Sequence, residues 1–226
     1  MKTKKLLPLL IASLLLPLPM QGQSKQQWRD SLSVLRNQID HQPFSLELHL
    51  NKANVHLLLE QWSYAVDECS LVIQHDTHQL AAYFYRAYAY RQQRQYILAY
   101  RDYEYILKRA PLHYEARLCQ ADLCRVMKRK AEAIDHFNYL VDHHADSASA
   151  YVARALYEQE LHLVDAALDD WEQAVRRAPE NIDYAVSHIE LLIRVRRYGE
   201  ARLALKALES RGVSRGQLLK WYQQLR

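Results

Sequence analysis

Five alanines recur at a constant spacing of 34 residues, and this series constrains the fold more than any other feature of the chain. No insertion or deletion interrupts it. A fixed period of this length is typical of stacked helix–turn–helix repeats, in which each repeat contacts only its neighbours. Only 4 of the 226 residues are glycine, which favours an all-helical array over a sheet protein rich in tight turns. The alanines are Ala65, Ala99, Ala133, Ala167 and Ala201.

Other positions follow the same register. If the recurring alanine is position 20 of each repeat, a second small residue falls at position 8 and a bulky residue at position 24 in most repeats. Small side chains at 8 and 20 let the two helices of a repeat approach closely, and proline at position 32 prevents the second helix from continuing. Position 8 is Ala53, Ala87, Ala121, Ala155 and Ile189; position 24 is Cys69, Tyr103, Phe137, Trp171 and Leu205; and the prolines are Pro43, Pro111 and Pro179.

Positions 7 and 23 carry opposite charges in three of the five repeats. We expect the two side chains to face each other across the hairpin and to act as structural ion pairs. An exposed pair of this kind contributes about 0–1 kcal/mol. The pairs are Lys52/Glu68, Arg86/Asp102 and Arg154/Asp170.

The pattern resembles the tetratricopeptide repeat family, which carries small residues at positions 8 and 20, a large residue at 24 and proline near 32. The segment LAAYFYRAYAYRQQRQYILAYRDYEYILKRAPLH matches it best. The resemblance implies an all-α, right-handed α-solenoid of about five helix–turn–helix repeats with capping helices, and it implies protein binding as the usual function. The repeats cover residues 46–79, 80–113, 114–147, 148–181 and 182–215.

Residues 1–22 have the composition of a secretory signal peptide. Three lysines precede an apolar run at residues 6–16, which proline interrupts and which is short for a membrane span. We expect cleavage after Gly22 and therefore an exported protein, periplasmic or secreted, with no stable membrane span after cleavage. Retention of this segment as an uncleaved anchor is the alternative.

Half-repeats flank the array. Residues 23–45 predict an N-terminal capping helix equivalent to the second helix of a repeat, because Trp28 and Leu35 fall at positions 17 and 24. Residues 216–226 predict a C-terminal capping helix that covers the last repeat with Trp221. Terminal repeats need such covers, and we expect one continuous domain.

Charge and motifs argue against several classes of function. Residues 1–22 hold three lysines and no acid, which leaves 27 basic and 26 acidic residues and no electrostatic footprint for nucleic acid. The sequence contains no GxGxxG, HExxH or GxSxG motif. Its eleven histidines do not supply three or four ligands at metal-binding spacing. We therefore expect no enzyme activity, no cofactor and no metal.

Three cysteines in an exported protein raise the question of a disulfide. Cys119 and Cys124 lie five residues apart on one predicted helix, which corresponds to about 140° of rotation and about 7.5 Å of rise. A disulfide cannot bridge them unless the helix unwinds. We expect Cys69 and Cys124 to be buried as small hydrophobic residues, whereas Cys119 is the cysteine that could be exposed and pair between molecules.

In the resembled family, positions 5, 9 and 12 of the first helix line a concave groove. The chaperone-tail carboxylate clamp of some members needs lysine at position 5 and asparagine at 9, whereas this chain has Leu50 with Asn54. Phe84 and Tyr88 form the best candidate hot spot, an exposed aromatic pair; the alternative is that part of the apolar row packs against neighbouring helices. The predicted groove residues are Leu50, Asn54, Leu57, Phe84, Tyr88, Arg91, Leu118, Asp122, Arg125, Val152, Leu156, Gln159, Val186, Glu190 and Ile193.

Together these features favour a non-enzymatic, exported scaffold that binds a partner protein or peptide in its groove, within an envelope assembly, secretion or maturation system. A carbohydrate-binding or enzyme-accessory module is one alternative, because sugars also stack on exposed aromatic rings. An architectural homo-oligomer is another, in which Trp221 and Tyr222 form an interface instead of a cap.

Overall fold

A computed structural model of the chain describes residues 25–225, and all regular secondary structure within them is α-helical. The predicted signal peptide and its cleavage point lie outside the described residues. The helices of residues 25–225 are α1 (Lys25–His41), α2 (Leu46–Leu58), α3 (Trp62–His75), α4 (Leu80–Gln92), α5 (Tyr96–Arg109), α6 (Tyr114–Val126), α7 (Lys130–His143), α8 (Ala148–Glu160), α9 (Val164–Arg177), α10 (Ile182–Arg194), α11 (Tyr198–Ser210) and α12 (Arg215–Gln224).

The predicted all-α repeat fold is confirmed. The first helix of every repeat starts at position 1, and α2 packs on α3, α4 on α5, α8 on α9 and α10 on α11. All five alanines at position 20 and every residue at position 8 are fully buried, as are the large residues at position 24. Small side chains therefore allow the close approach of the helices, and position 24 fills the core beside it.

The turn within each repeat has one backbone geometry throughout. The residue at position 15 adopts a left-handed conformation, with φ between 59° and 64°. The amide of the next residue then donates to a carbonyl five residues back, as from Gln61 to His56 at 2.8 Å, which closes the helix in a Schellman motif. Glycine is the usual residue here because it has no Cβ, but this chain uses Glu60, Arg94, Lys128, His162 and Arg196.

The second helix of the first four repeats ends at position 30 whether or not proline follows. Pro111 and Pro179 follow α5 and α9, but Thr77 and Ala145 take the same position after α3 and α7. Proline therefore reinforces this helix end without being required for it.

Side chains of the following repeat hold this turn. The Tyr105 hydroxyl donates to the Thr77 carbonyl at 2.5 Å, and the Arg177 guanidinium donates to the Ala145 carbonyl. Arg211 reaches the Pro179 carbonyl at 3.2 Å. Each brace satisfies the carbonyl at position 32 of the preceding repeat and so couples neighbouring hairpins.

The predicted ion pairs at positions 7 and 23 are also confirmed. Lys52 Nζ lies 2.6 Å from Glu68, Arg86 Nε 2.8 Å from Asp102 and Arg154 Nε 2.7 Å from Asp170. All six side chains are largely shielded from solvent, so they count as partly buried pairs and not as surface pairs.

The described residues group into two compact units, unit 1 up to His136 and unit 2 from Phe137. We expected one continuous domain; the boundary between the units falls inside α7, and because each repeat contacts only its neighbours, contacts in the array are local and need not form a single compact unit. In unit 2, Trp221 is buried and its indole N–H donates to Glu190 Oε1 at 3.1 Å. Helix α12 therefore covers α10.

All three cysteines are free and buried. Burial of Cys69 and Cys124 agrees with the sequence, but the expectation that Cys119 is exposed is wrong, because it packs inside unit 1 beside Tyr103. Burial raises the pKa of each thiol to about 12. None of them is therefore a reactive thiolate at neutral pH.

Candidate functional site

Unit 1 holds nine of the predicted groove residues, at positions 5, 9 and 12 of α2, α4 and α6, and we call these nine the first row. Its apolar members are mostly buried, and its polar members lie at positions 9 and 12. The first row comprises Leu50, Asn54, Leu57, Phe84, Tyr88, Arg91, Leu118, Asp122 and Arg125.

Phe84 and Tyr88 are not the exposed aromatic pair that the sequence predicts. Each is only 8% exposed. The Phe84 ring stacks on His113 with centroids 5.9 Å apart and meets the edge of Tyr103 at 5.8 Å, while Tyr88 meets the edge of Trp62 at 6.0 Å. Aromatic neighbours from adjacent helices cover both rings. Both side chains are therefore members of the row that pack into the core.

The most prominent polar feature of the first row is one carboxylate held by two arginines. Asp122 is completely buried, and its Oδ2 accepts from Arg91 Nη2. Its Oδ1 accepts from Arg125 Nε at 2.9 Å and from Nη2 at 2.7 Å. Since Arg91 lies on α4 and Asp122 on α6, this cluster ties together the first helices of two consecutive repeats.

Electrostatics fix the charge state of this cluster. Burial lowers the pKa of the Arg91 guanidinium, but the adjacent charge of Asp122 outweighs it, and the net pKa of Arg91 is raised. Burial raises the pKa of the Tyr88 phenol, so Tyr88 stays neutral. The Arg91 guanidinium therefore stays charged near neutral pH.

Two polar atoms in the first row are buried without a partner. Asn54 Oδ1 and Arg91 Nε have almost no solvent contact and no hydrogen bond within the described structure. An unsatisfied buried acceptor or donor costs about 1–3 kcal/mol. One is an acceptor and the other a donor, which are the groups that pair with the amides and carbonyls of an added peptide.

The remaining six groove residues lie in unit 2, on α8 and α10. Val152 is buried, and Leu156, Gln159, Val186 and Ile193 are half-buried. Gln159 accepts from Arg194 at 3.5 Å. Glu190 is exposed, yet it receives the Trp221 indole at 3.1 Å and lies 3.9 Å from Lys220, so the C-terminal helix engages it.

Sequence reasoning identified the members of the Asp122 cluster separately but missed their pairing. The available signal was a basic residue at position 12 followed 31 residues later by an acid at position 9 of the next repeat, as in Arg91 and Asp122. Whether the two side chains meet depends on how closely α4 and α6 pack, and the sequence does not give that distance. The unpartnered atoms of Asn54 and Arg91 cannot be predicted from the sequence.

Other kinds of site find little support in residues 25–225. No group of three histidine, cysteine, aspartate or glutamate side chains in this range is placed to hold a metal ion, and none of its helices combines the length and apolarity needed to cross a bilayer. A shallow, open depression of about 610 Å³ lies over residues 110–115. Its walls come from residues 110–115 alone, and one of them, His113, stacks on Phe84 of the first row.

Comparison with known proteins supports the fold. No family model matches the sequence, and no curated protein matches it. Among solved structures, a tetratricopeptide repeat protein from Parabacteroides merdae superposes with a TM-score of 0.66 at 16% identity, over 82% of this chain and 74% of that chain. MamA from Desulfovibrio magneticus gives 0.61 at 18% identity, over 73% and 93%.

A third neighbour is YrrB, described as a tetratricopeptide repeat protein with an unusual peptide-binding site. It superposes with a TM-score of 0.56 at 13% identity, over 79% of this chain and 98% of YrrB. Identities this low establish the architecture alone. From its buried alanines, its repeated turns and these neighbours, the chain has the fold of tetratricopeptide repeat proteins.

Proposed function

We propose that this protein is an exported, non-enzymatic scaffold whose first row binds an extended segment of a partner protein. Its fold is that of protein-interaction modules. Residues 1–22 have the composition of a secretory leader, which supports export and a role in an envelope assembly, secretion or maturation system.

The observation that carries the proposal is the pair of unpartnered atoms in the first row. Asn54 Oδ1 is a hydrogen-bond acceptor and Arg91 Nε is a hydrogen-bond donor. Neither has a partner within the described residues. A bound peptide backbone supplies an N–H and a C=O, which removes the cost of leaving these atoms unpaired. Asn54 and Arg91 sit on consecutive first helices, α2 and α4, so one extended segment would cross both.

The carbohydrate-binding alternative loses its motivating observation, and the homo-oligomer alternative loses Trp221 as an interface residue, while Tyr222 stays half-buried. A sugar platform needs an open aromatic face, but Phe84 and Tyr88 are covered by His113 and Trp62. An interface built on Trp221 needs an available indole, but this side chain is buried and bonded to Glu190.

Crosslinking capture from an envelope extract tests the proposal, with the full chain as bait. Asn54→Ala is the test variant and Asn51→Ala its matched control, because Asn51 is an exposed asparagine on the same helix. We expect a protein captured by the native chain and by Asn51→Ala to be lost with Asn54→Ala. Peptides from that protein should then bind the native chain and Asn51→Ala in solution and should bind Asn54→Ala more weakly. Equal retention by all three baits would refute the proposal.

A further inference from the structure

The two ends of the described chain are complementary halves of one repeat. Helix α1 occupies the second-helix positions of a repeat whose first helix is not among residues 25–225, and α12 occupies the first-helix positions of a repeat whose second helix does not follow it there. In repeats one, two, four and five these two kinds of helix pair as a hairpin.

Interior repeats show which residues make that pairing. Position 4 of the first helix contacts positions 23, 26 and 30 of the second. His49 Nδ1 lies 2.6 Å from Glu68 Oε2, and Tyr83 stacks on Tyr105 with centroids 3.9 Å apart. In repeat four, Tyr151 lies beneath the Arg177 guanidinium at 4.1 Å. His49, Tyr83 and Tyr151 are all buried by these contacts.

Position 4 and its partner position 23 are exposed and apolar at the two ends, whereas positions 26 and 30 of α1 are the polar Asn37 and His41. Leu219, at position 4 of α12, is 50% exposed, and Val34, at position 23 of α1, is 57% exposed. The charge pair of positions 7 and 23 is also replaced, because Tyr222 takes the place of the base and Val34 the place of the acid. Leu35, at position 24, is only half-buried, although this position is fully buried in complete repeats.

We propose that a second copy of this chain covers these faces, with α12 of one molecule packing on α1 of the next to complete a hairpin. Leu219 and Tyr222 would contact Val34 of the neighbouring copy. The occupant is another copy because each end presents what the other lacks, in the register already used five times along the chain. The interface is heterologous, so the assembly grows head to tail.

The contact is expected to be weak. Positions 8 and 20, where alanines allow close approach in the interior, are Gln223 and Ser31 at this junction, and larger side chains keep the helices further apart. One hairpin is also a small area beside the roughly 1,600 Å² of a standard stable interface. Association should therefore depend on concentration and not persist on dilution.

Light scattering and sedimentation of the full chain test this proposal between about 20 µM and about 500 µM, a range suited to weak interfaces. We expect the mass of the native protein to rise at least twofold across the range. Val34→Glu and Leu219→Glu should each stay monomeric, and both residues are exposed, so the fold should be unaffected. Leu203→Glu, at an exposed leucine on α11, is the control and should associate like the native protein.

A mixture of the two blocked variants gives the sharpest result. Val34→Glu keeps a competent α12 and Leu219→Glu a competent α1, so an equimolar mixture should form dimers and nothing larger. The proposal fails if the native chain is monomeric throughout, if the mixture stays monomeric, if Leu219→Glu alone still associates, or if Leu203→Glu abolishes association equally.

Discussion

Arg86 binds Asp102 across the second hairpin through two parallel hydrogen bonds. Its Nε donates to Oδ2 at 2.8 Å, and its Nη2 donates to Oδ1 at 2.9 Å. Arg154 repeats this geometry on Asp170 two repeats later, at 2.7 and 2.8 Å. Bidentate geometry and burial make these pairs stronger than surface ion pairs, and the cost of breaking one includes the desolvation of the partner left behind.

Replacing Arg86 with alanine should therefore lower the free energy of unfolding by about 2–4 kcal/mol, because Asp102 stays buried without its partner. Lys108→Ala, on the helix that carries Asp102, breaks an exposed pair with Glu104 and should cost about 0–0.5 kcal/mol. Urea denaturation measures both. Similar small losses for the two variants would show that the hairpin pair behaves as a surface pair.

Asp122→Asn should destabilise the protein by about 2–4 kcal/mol, because a neutral amide leaves two guanidiniums close together without the buried carboxylate between them. Asp135→Asn is the matched control at an exposed aspartate on α7, with an expected change of about 0.5 kcal/mol or less. Thermal and urea unfolding provide the comparison. A change at Asp122 as small as at Asp135 would contradict the role assigned to the cluster.

Lys128→Gly should raise the free energy of unfolding by about 0.5–1 kcal/mol, because Lys128 is exposed and holds a left-handed φ of 61°. Lys130→Gly, two residues later at the start of α7, should instead cost up to about 1 kcal/mol, since glycine is a poor helix former. The opposite signs distinguish relief of backbone strain from loss of a lysine. The same sign in both variants would refute the strain argument.

Glu158 gives unit 2 a pH-dependent stability. Burial and, to a smaller extent, the nearby Asp170 raise the pKa of this carboxyl from 4.5 to about 7, against the opposing effect of Arg154. A carboxyl with a raised folded-state pKa destabilises the native state once it ionises, so the free energy of unfolding falls as pH rises from about 4.5 to about 7.

Glu158→Gln should remove this loss. The stability difference between variant and native protein should grow by about 1–3 kcal/mol between pH 4.5 and pH 8, measured by urea denaturation at each pH. Burial also lowers the pKa of His56, His136 and His188, but these groups act in both proteins and cancel in the difference. A difference that does not vary with pH would contradict the prediction.

Sequence periodicity was sufficient to predict the hairpins, because an alanine at positions 8 and 20 is both a local residue type and a packing requirement. The pairing of Arg86 with Asp102 could be predicted for the same reason, since the two positions are fixed by the register. Phe84 and Tyr88 could not be placed correctly, because their exposure depends on which rings from neighbouring parts of the array, His113 before α6 and Trp62 on α3, lie over them.

Helix ends show a second limit of sequence reasoning. Proline at position 32 predicts where a helix stops, yet α3 and α7 stop at the same position before Thr77 and Ala145. The Thr77 and Ala145 carbonyls accept hydrogen bonds from the following repeat, and a contact of that range does not follow from a local motif. The Asp122 cluster is missed for the same reason.

The braces from one repeat to the turn before it have a consequence for how such a chain can change length. Tyr105 holds Thr77 from 28 residues downstream, and Arg177 holds Ala145 from 32 residues downstream, so each of these turns depends on a donor in the next repeat. Removing or adding one residue between such a donor and its carbonyl would misplace that brace, whereas removing or adding 34 would leave a donor opposite an equivalent carbonyl. Gene duplication and deletion in whole repeats are therefore tolerable changes, and small insertions within a repeat are not, except where they can bulge from an exposed turn.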